Sequence, residues 1–202
     1  MATLECNKAL DLVERMPQVF SYAEAIKAGF NKPMLKQLVD DFTLFKPGRG
    51  VYIKYFETDG RYHAALAVQK IHPEAVMCCY SSLYEHNVID DLYPEPVFAL
   101  PSGTKATEVF GDKIKFVHYP SKTFNLGIEI VETDDQKIRV YSVERSIIDV
   151  LISGDNITAL TALRNFIREG NSTLELKRMA KEFPKVTQII YAVLDMVGVM
   201  YA

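Results

Sequence analysis

The sequence predicts a mixed α+β protein, α/β in the broad sense, built as two domains over residues 1–57 and 62–202. Three observations predict it. Apolar residues recur at helical spacing in some segments and alternate as in strands in others. Charge divides along the chain: between residues 27 and 54, Lys27, Lys32, Lys36, Lys46, Arg49 and Lys54 are set against Asp40 and Asp41, a net +4. Residues 62–202 hold 14 basic and 18 acidic groups, a net −4, and Glu57-Thr58-Asp59-Gly60 forms a polar break between the two parts.

The composition of the 202 residues, 49% apolar and 24% charged with a net charge of −3, is that of an ordered globular protein. It excludes disordered, collagen-like, disulfide-scaffold and histone-like classes. No apolar run approaches the roughly 18–20 residues of a membrane span. The opening MATLECNKALDLVERM lacks a basic-then-apolar secretory pattern. Cys6, Cys78 and Cys79 are odd in number and two are adjacent, which suits a reducing compartment. A soluble, cytoplasmic protein without a membrane partner is expected.

The elements follow in order. Leu4, Ala9, Leu12 and Val13 mark a helix over 4–14 that Pro17 ends. Ser21 stands as an N-cap with Glu24 three residues on, the spacing of a capping box, ahead of a short helix stopped by Gly29. Asn31 caps a third helix with Pro33 in its first turn. That helix is predicted to bury Met34, Leu35, Leu38, Val39 and Phe42 and to expose Lys32, Lys36, Gln37 and Asp40. Phe45-Lys46, the turn Pro47-Gly48-Arg49-Gly50 and the run Val51 to Tyr55 read as a hairpin. Helix, helix, turn, helix and hairpin within about 55 residues is the order of a winged helix-turn-helix, with its third helix in the major groove and its hairpin as the wing.

The second part begins with a helix from Tyr62 to Ile71, stopped by His72-Pro73. A short strand at 75–79, a helix near 81–87 and strands at 97–100, 114–119, 127–131 and 137–141 follow, with turns at Ser102-Gly103 and Asp134-Asp135. Ser142 caps a helix that carries Val143, Ile147, Ile148 and Leu151 on one face and ends at Gly154. Three more helices are predicted near 157–168, 173–182 and 186–199, the last with Val186, Ile189, Ile190, Val193, Leu194 and Val197 at core spacing. The domain is thus a small mixed α/β unit with a helical C-terminal end.

The clearest chemistry lies in the first domain. Lys32, Lys36 and Gln37 on the third helix and Lys46 and Arg49 at the wing are the candidate DNA-contacting residues. The cations would position the protein on phosphates, and Gln37 could read a base edge such as adenine. His63, His72, His86 and His118 show no metal-ligand spacing, and Cys78 or Cys79 with His86 matches no zinc pattern, so no metal and no cofactor are expected. The enzyme alternative is a metal-dependent nuclease or nucleic-acid-processing protein using Glu129, Glu132 and Lys137. The residues around them read as a charged hairpin tip, and no phosphate loop or nucleophile motif occurs, so an enzyme is not expected. A regulator whose second domain senses a small molecule is a third possibility. Asp149 is read as an i,i+4 partner of Arg145, worth a few tenths of a kcal/mol.

Several segments together resemble the AbiEi-type antitoxins of bacterial type IV abortive-infection toxin–antitoxin systems. They are Arg49-Gly50-Val51-Tyr52 after Ala28-Gly29, His72-Pro73-Glu74-Ala75-Val76, Ser81 through His86, Leu100-Pro101-Ser102-Gly103-Thr104, and Gly127-Ile128-Glu129. The most telling is Val140 to Asp149, a strand entering a helix through Glu-Arg-Ser-x-x-Asp. The likeness spans about residues 18–155. Asn87 stands where the family commonly has glycine, and Ser146 where it more often has threonine. The resemblance implies a winged-helix autorepressor that binds double-stranded promoter DNA of its own operon, expected to carry inverted repeats. It also implies antagonism of a nucleotidyltransferase-like toxin in phage defence, with no stable complex required. Glu144, Arg145 and Asp149 are expected to be a structural joint between strand and helix.

Overall fold

A computed structural model describes residues 2–55, 62–90, 95–111, 113–133 and 136–200, with side chains from residue 8 to 196 within those segments. The proposed linker at 57–60 and the turn at Asp134-Asp135 fall outside the described residues. The described residues form ten helices and eight strands, the strands in two sheets, a mixed α+β architecture. The chain separates into two compact units. The first comprises residues 1–75, 105–114 and 131–138, and the second 76–104, 115–130 and 139–202.

In the first unit, α1 (Ala2–Glu14) is followed by β1 (Val19–Ser21), α2 (Tyr22–Ala28) and α3 (Lys32–Asp40). The capping box forms as the spacing predicts: the Glu24 N–H donates to Ser21 Oγ at 3.2 Å and the Ser21 N–H to Glu24 Oε2 at 2.7 Å. Gly29 ends α2 in the left-handed region at φ 105°. Strands β2 (Leu44–Gly48) and β3 (Val51–Lys54) form the hairpin, and β1 joins it to give the antiparallel order β1-β3-β2. The three-residue β1 is too short for alternation to announce it. Phe20, Phe30, Leu35, Leu38, Leu44 and Tyr52 form the core of the unit, with Phe20 stacked between Phe30 and Tyr52. The unit also holds α4 (His63–Ile71), whose Ala65, Ala67 and Val68 are fully buried.

Two readings of this region are corrected. Phe42 is not buried: α3 ends at Asp40, Phe42 turns into the left-handed region at φ 56°, and its side chain is 71% exposed. The helical period that would have carried it inward stops two residues earlier. Met34 and Val39 are half-buried at the margin of the core. Lys54, counted with the basic residues, is buried, and its Nζ donates to the Glu14 carbonyl at the end of α1.

In the second unit, β4 (Val76–Met77), α5 (Cys79–Glu85), β5 (Val97–Pro101), β6 (Lys115–Tyr119), α6 (Ser121–Phe124) and residues 128–130 and 139–141 of β7 (Ile128–Glu132) and β8 (Lys137–Tyr141) precede four helices. These are α7 (Val143–Ser153), α8 (Asn156–Arg168), α9 (Thr173–Ala180) and α10 (Pro184–Met200). The sheet runs β6-β5-β4-β8-β7, with β5 parallel to β6, β4 antiparallel to β5 and parallel to β8. Every residue of α7 from Arg145 to Leu151 is buried, packed among α5, α8, α9 and α10 through Leu83, Leu163, Leu176 and Ile190. Ile189 departs from its predicted core position and is 45% exposed, while Val186, Ile190 and Leu194 on the same helix are buried. Asn87 adopts φ 56°, the left-handed conformation that glycine and asparagine tolerate best.

Candidate nucleic-acid interface

Helix α3 is positioned by local chemistry at its start and by packing along its length. The Asn31 Oδ1 accepts the Met34 N–H at 2.9 Å, and Pro33 occupies the first turn, where no N–H is needed. Leu35 and Leu38 anchor one side in the core, which turns Lys32, Lys36 and Gln37 to solvent. Lys36 Nζ lies 3.2 Å from Asp40 Oδ2 across one helical turn, an exposed pair that phosphate can replace at little cost. Sequence reasoning set Asp40 on the exposed face without pairing it, although the i,i+4 spacing carries the signal.

The hairpin places the other two candidates. Phe45 pairs with Ile53 and Gly48 with Val51, so β2 fits one residue more than β3 over this stretch. The resulting bulge breaks alternation: Phe45 and Lys46 both face solvent between buried Leu44 and Pro47. Arg49 is exposed in the turn, and Gly50 at φ 74° supplies the left-handed residue that closes it. The Gly50 carbonyl accepts the Tyr22 N–H at 2.7 Å, tying the tip to the start of α2. All five candidate residues therefore lie in the first unit and all five are exposed.

The acidic candidates do not converge. Glu132 pairs with Lys137 at 2.6 Å on the surface. Glu129, three residues earlier on β7 and hence on the opposite face of the strand, lies 3.9 Å from His86 Nε2. His86 Nε2 is 2.9 Å from the Tyr141 carbonyl, which requires that nitrogen to donate. Among the described residues no three His, Cys, Asp or Glu side chains gather as metal ligands do, and no helix is long and apolar enough to cross a membrane.

The Arg145–Asp149 pair is corrected in energy, not in partner. Arg145 Nε donates to Asp149 Oδ1 at 2.9 Å, but both side chains are completely buried. Arg145 Nη1 also donates to the carbonyls of Thr123 in α6 and Leu126 just after it, and the guanidinium sits 4.3 Å from the Tyr141 ring centre and 4.8 Å from those of Tyr119 and Phe183. It is a desolvated pair, not the weak surface pair expected, because α7 is buried from Arg145 to Leu151. Burial pushes the Asp149 carboxyl up to about 6 against the opposing pull of Arg145, and desolvation lifts the Tyr119 and Tyr141 hydroxyls well above their ordinary values. A folded-state value above the ordinary 3.8 means the native protein holds the Asp149 proton where the unfolded chain has released it. Through this group, stability falls as pH rises from about 4 to 6. Unfolding free energies of wild type and Asp149→Asn across pH 4–7 check this: the wild type should lose stability relative to the variant over that window, and parallel pH curves would contradict it.

The fold and the site define a mixed α+β protein with an exposed cationic helix and hairpin. No protein-family model matches the chain, and no curated protein matches it. Among solved structures it is similar to one described as the crystal structure of RV2827C protein from Mycobacterium tuberculosis. The two share 12% sequence identity with a TM-score of 0.67, over 96% of this chain and 76% of that one. At that identity the likeness shows the fold alone.

Proposed function

We propose that this chain is a DNA-binding autorepressor and antitoxin of the AbiEi kind, not an enzyme. In this reading the first unit is a winged helix-turn-helix: α3 enters the major groove, the β2–β3 hairpin is the wing, and Lys32, Lys36, Gln37, Lys46 and Arg49 make the contacts. The observation that carries the reading is the arrangement of α3 and the hairpin. Both are anchored on their apolar sides, by Leu35, Leu38, Leu44 and Tyr52, and both present cations outward. The order β1-α2-α3-β2-β3, with β1 added to the hairpin, supports it. The toxin partner, a nucleotidyltransferase-like protein neutralised without a required stable complex, rests on the family resemblance.

The test is binding of the full chain to the DNA upstream of its own gene, against random duplex, over a range of salt. Four cations on four phosphates give a slope of log affinity against log salt of about −3.6, hence a loss of about 150-fold between 50 and 200 mM salt. A slope near zero, or equal affinity for random duplex at every salt, would refute operator reading. Co-expression with the neighbouring toxin gene then tests the antitoxin role, with growth rescue as the expected result.

A further inference from the structure

A three-stranded sheet has two free edges, and here both edges of β1-β3-β2 are closed by residues from beyond position 100 within the first unit. On the β1 side, the Val19 N–H donates to Gln136 Oε1 at 3.1 Å and Gln136 Nε2 donates to the Val19 carbonyl at 2.9 Å. One carboxamide thus satisfies both outward groups of an edge residue, as a paired strand residue would. Gln136 is itself fixed: the Thr133 N–H and Oγ1 both donate to the Gln136 carbonyl, at 2.8 and 2.9 Å, and the Gln136 N–H donates to Thr133 Oγ1 at 3.1 Å.

On the β2 side, the Phe110 N–H donates to the Pro47 carbonyl at 2.7 Å, and the Phe110 and Phe45 rings lie 5.8 Å apart. A Cβ on Gly48 would stand 3.0 Å from Ile71 Cδ1 and 3.2 Å from the Glu108 carbonyl, so the strand is approached as closely as glycine allows. The covering segment is pinned by the Thr107 N–H, which donates to buried His72 Nε2 at 3.1 Å.

We infer that Gln136 and Phe110 are positioning residues for DNA recognition: they hold β1 and the β2–β3 hairpin from the two edges of the sheet, and the DNA-reading module is incomplete without them. The affinity part of this inference rests on the DNA-binding reading, whereas the edge closure does not. Neither residue supplies a cation, so losing Gln136 weakens binding by loosening β1 and losing Phe110 by loosening the β2–β3 hairpin, with the number of phosphate contacts unchanged.

The experiment uses the full chain with Gln136→Ala, Gln136→Glu and Phe110→Ala, read by amide hydrogen exchange and by binding to upstream DNA at several salt concentrations. Gln136→Glu keeps an acceptor for the Val19 N–H but sets a carboxylate against the Val19 carbonyl, so it should behave as Gln136→Ala does. For both, the Val19 amide is expected to exchange at least tenfold faster while amides of Ile147 to Val150 in α7 keep their rates. Phe110→Ala should quicken exchange in the β2–β3 hairpin in the same selective way. DNA affinity should fall at least fivefold in each variant with the salt slope unchanged. Unchanged exchange at Val19, equal acceleration in α7, or full DNA affinity despite faster edge exchange would each overturn the inference. If wild type binds no DNA, the functional reading fails, and the exchange results alone decide whether these residues hold the edges.

Discussion

Asp149→Ala is expected to destabilise the protein by about 3–5 kcal/mol, a large part of the roughly 5–15 kcal/mol that a folded domain has. The reason is asymmetric. Removing the carboxylate does not simply delete one hydrogen bond; it leaves the Arg145 guanidinium charged, fully buried and deprived of its counter-ion. The two backbone carbonyls and three aromatic rings around it soften the loss without neutralising it. Arg145→Met together with Asp149→Leu removes both charges, and this double variant should lose less than the sum of its single variants. Chemical denaturation of the four proteins measures this coupling. A loss below about 1 kcal/mol for Asp149→Ala would mean that the pair behaves as a surface pair and that the burial argument is wrong.

The second large effect concerns function. Lys36→Glu combined with Arg49→Glu is expected to abolish binding to upstream DNA while leaving thermal stability within a few tenths of a kcal/mol of wild type. Each reversal removes one phosphate contact and adds one repulsion, so two substitutions cancel the contribution of all four cations and the salt slope collapses toward zero. Stability is little affected because both side chains are exposed and, among the described residues, the partner lost is Asp40, in a surface i,i+4 pair. Gel-shift or anisotropy titrations beside a melting curve read both quantities. Retained affinity would sink this surface, and a collapsed melting temperature would mean that the charges support the fold instead.

Much of the first unit was legible because its signals are local. Ser21 with Glu24, Asn31 with Pro33, and Gly29 after α2 act within three or four residues, and the structure forms the caps that their spacing calls for. The same holds for Ser142 and Gly154 around α7. Exposure of Lys32, Lys36 and Gln37 follows from helical period once Leu35 and Leu38 are buried. Where the period was carried past the real end of the element it misled: Phe42 lies beyond α3 and faces water. Ile189 was assigned to the core because an apolar residue at helical spacing says which way it points, not whether a neighbour covers it.

The sequence by itself determined the α+β class, the order of nearly all the elements, the caps and the outward placement of Lys32, Lys36 and Gln37 on α3, since each depends on a few neighbouring residues, whereas Lys46 faces out through the bulge in β2. Tertiary structure alone decided that Arg145 and Asp149 pair without water and that Lys54 turns inward to the end of α1. It also decided that Gln136 completes an edge 117 residues away. The physical reason is common to all three. The energy of a charge or an unpaired backbone group is set by what surrounds it, and those surroundings arrive from distant parts of the chain only when the core has closed.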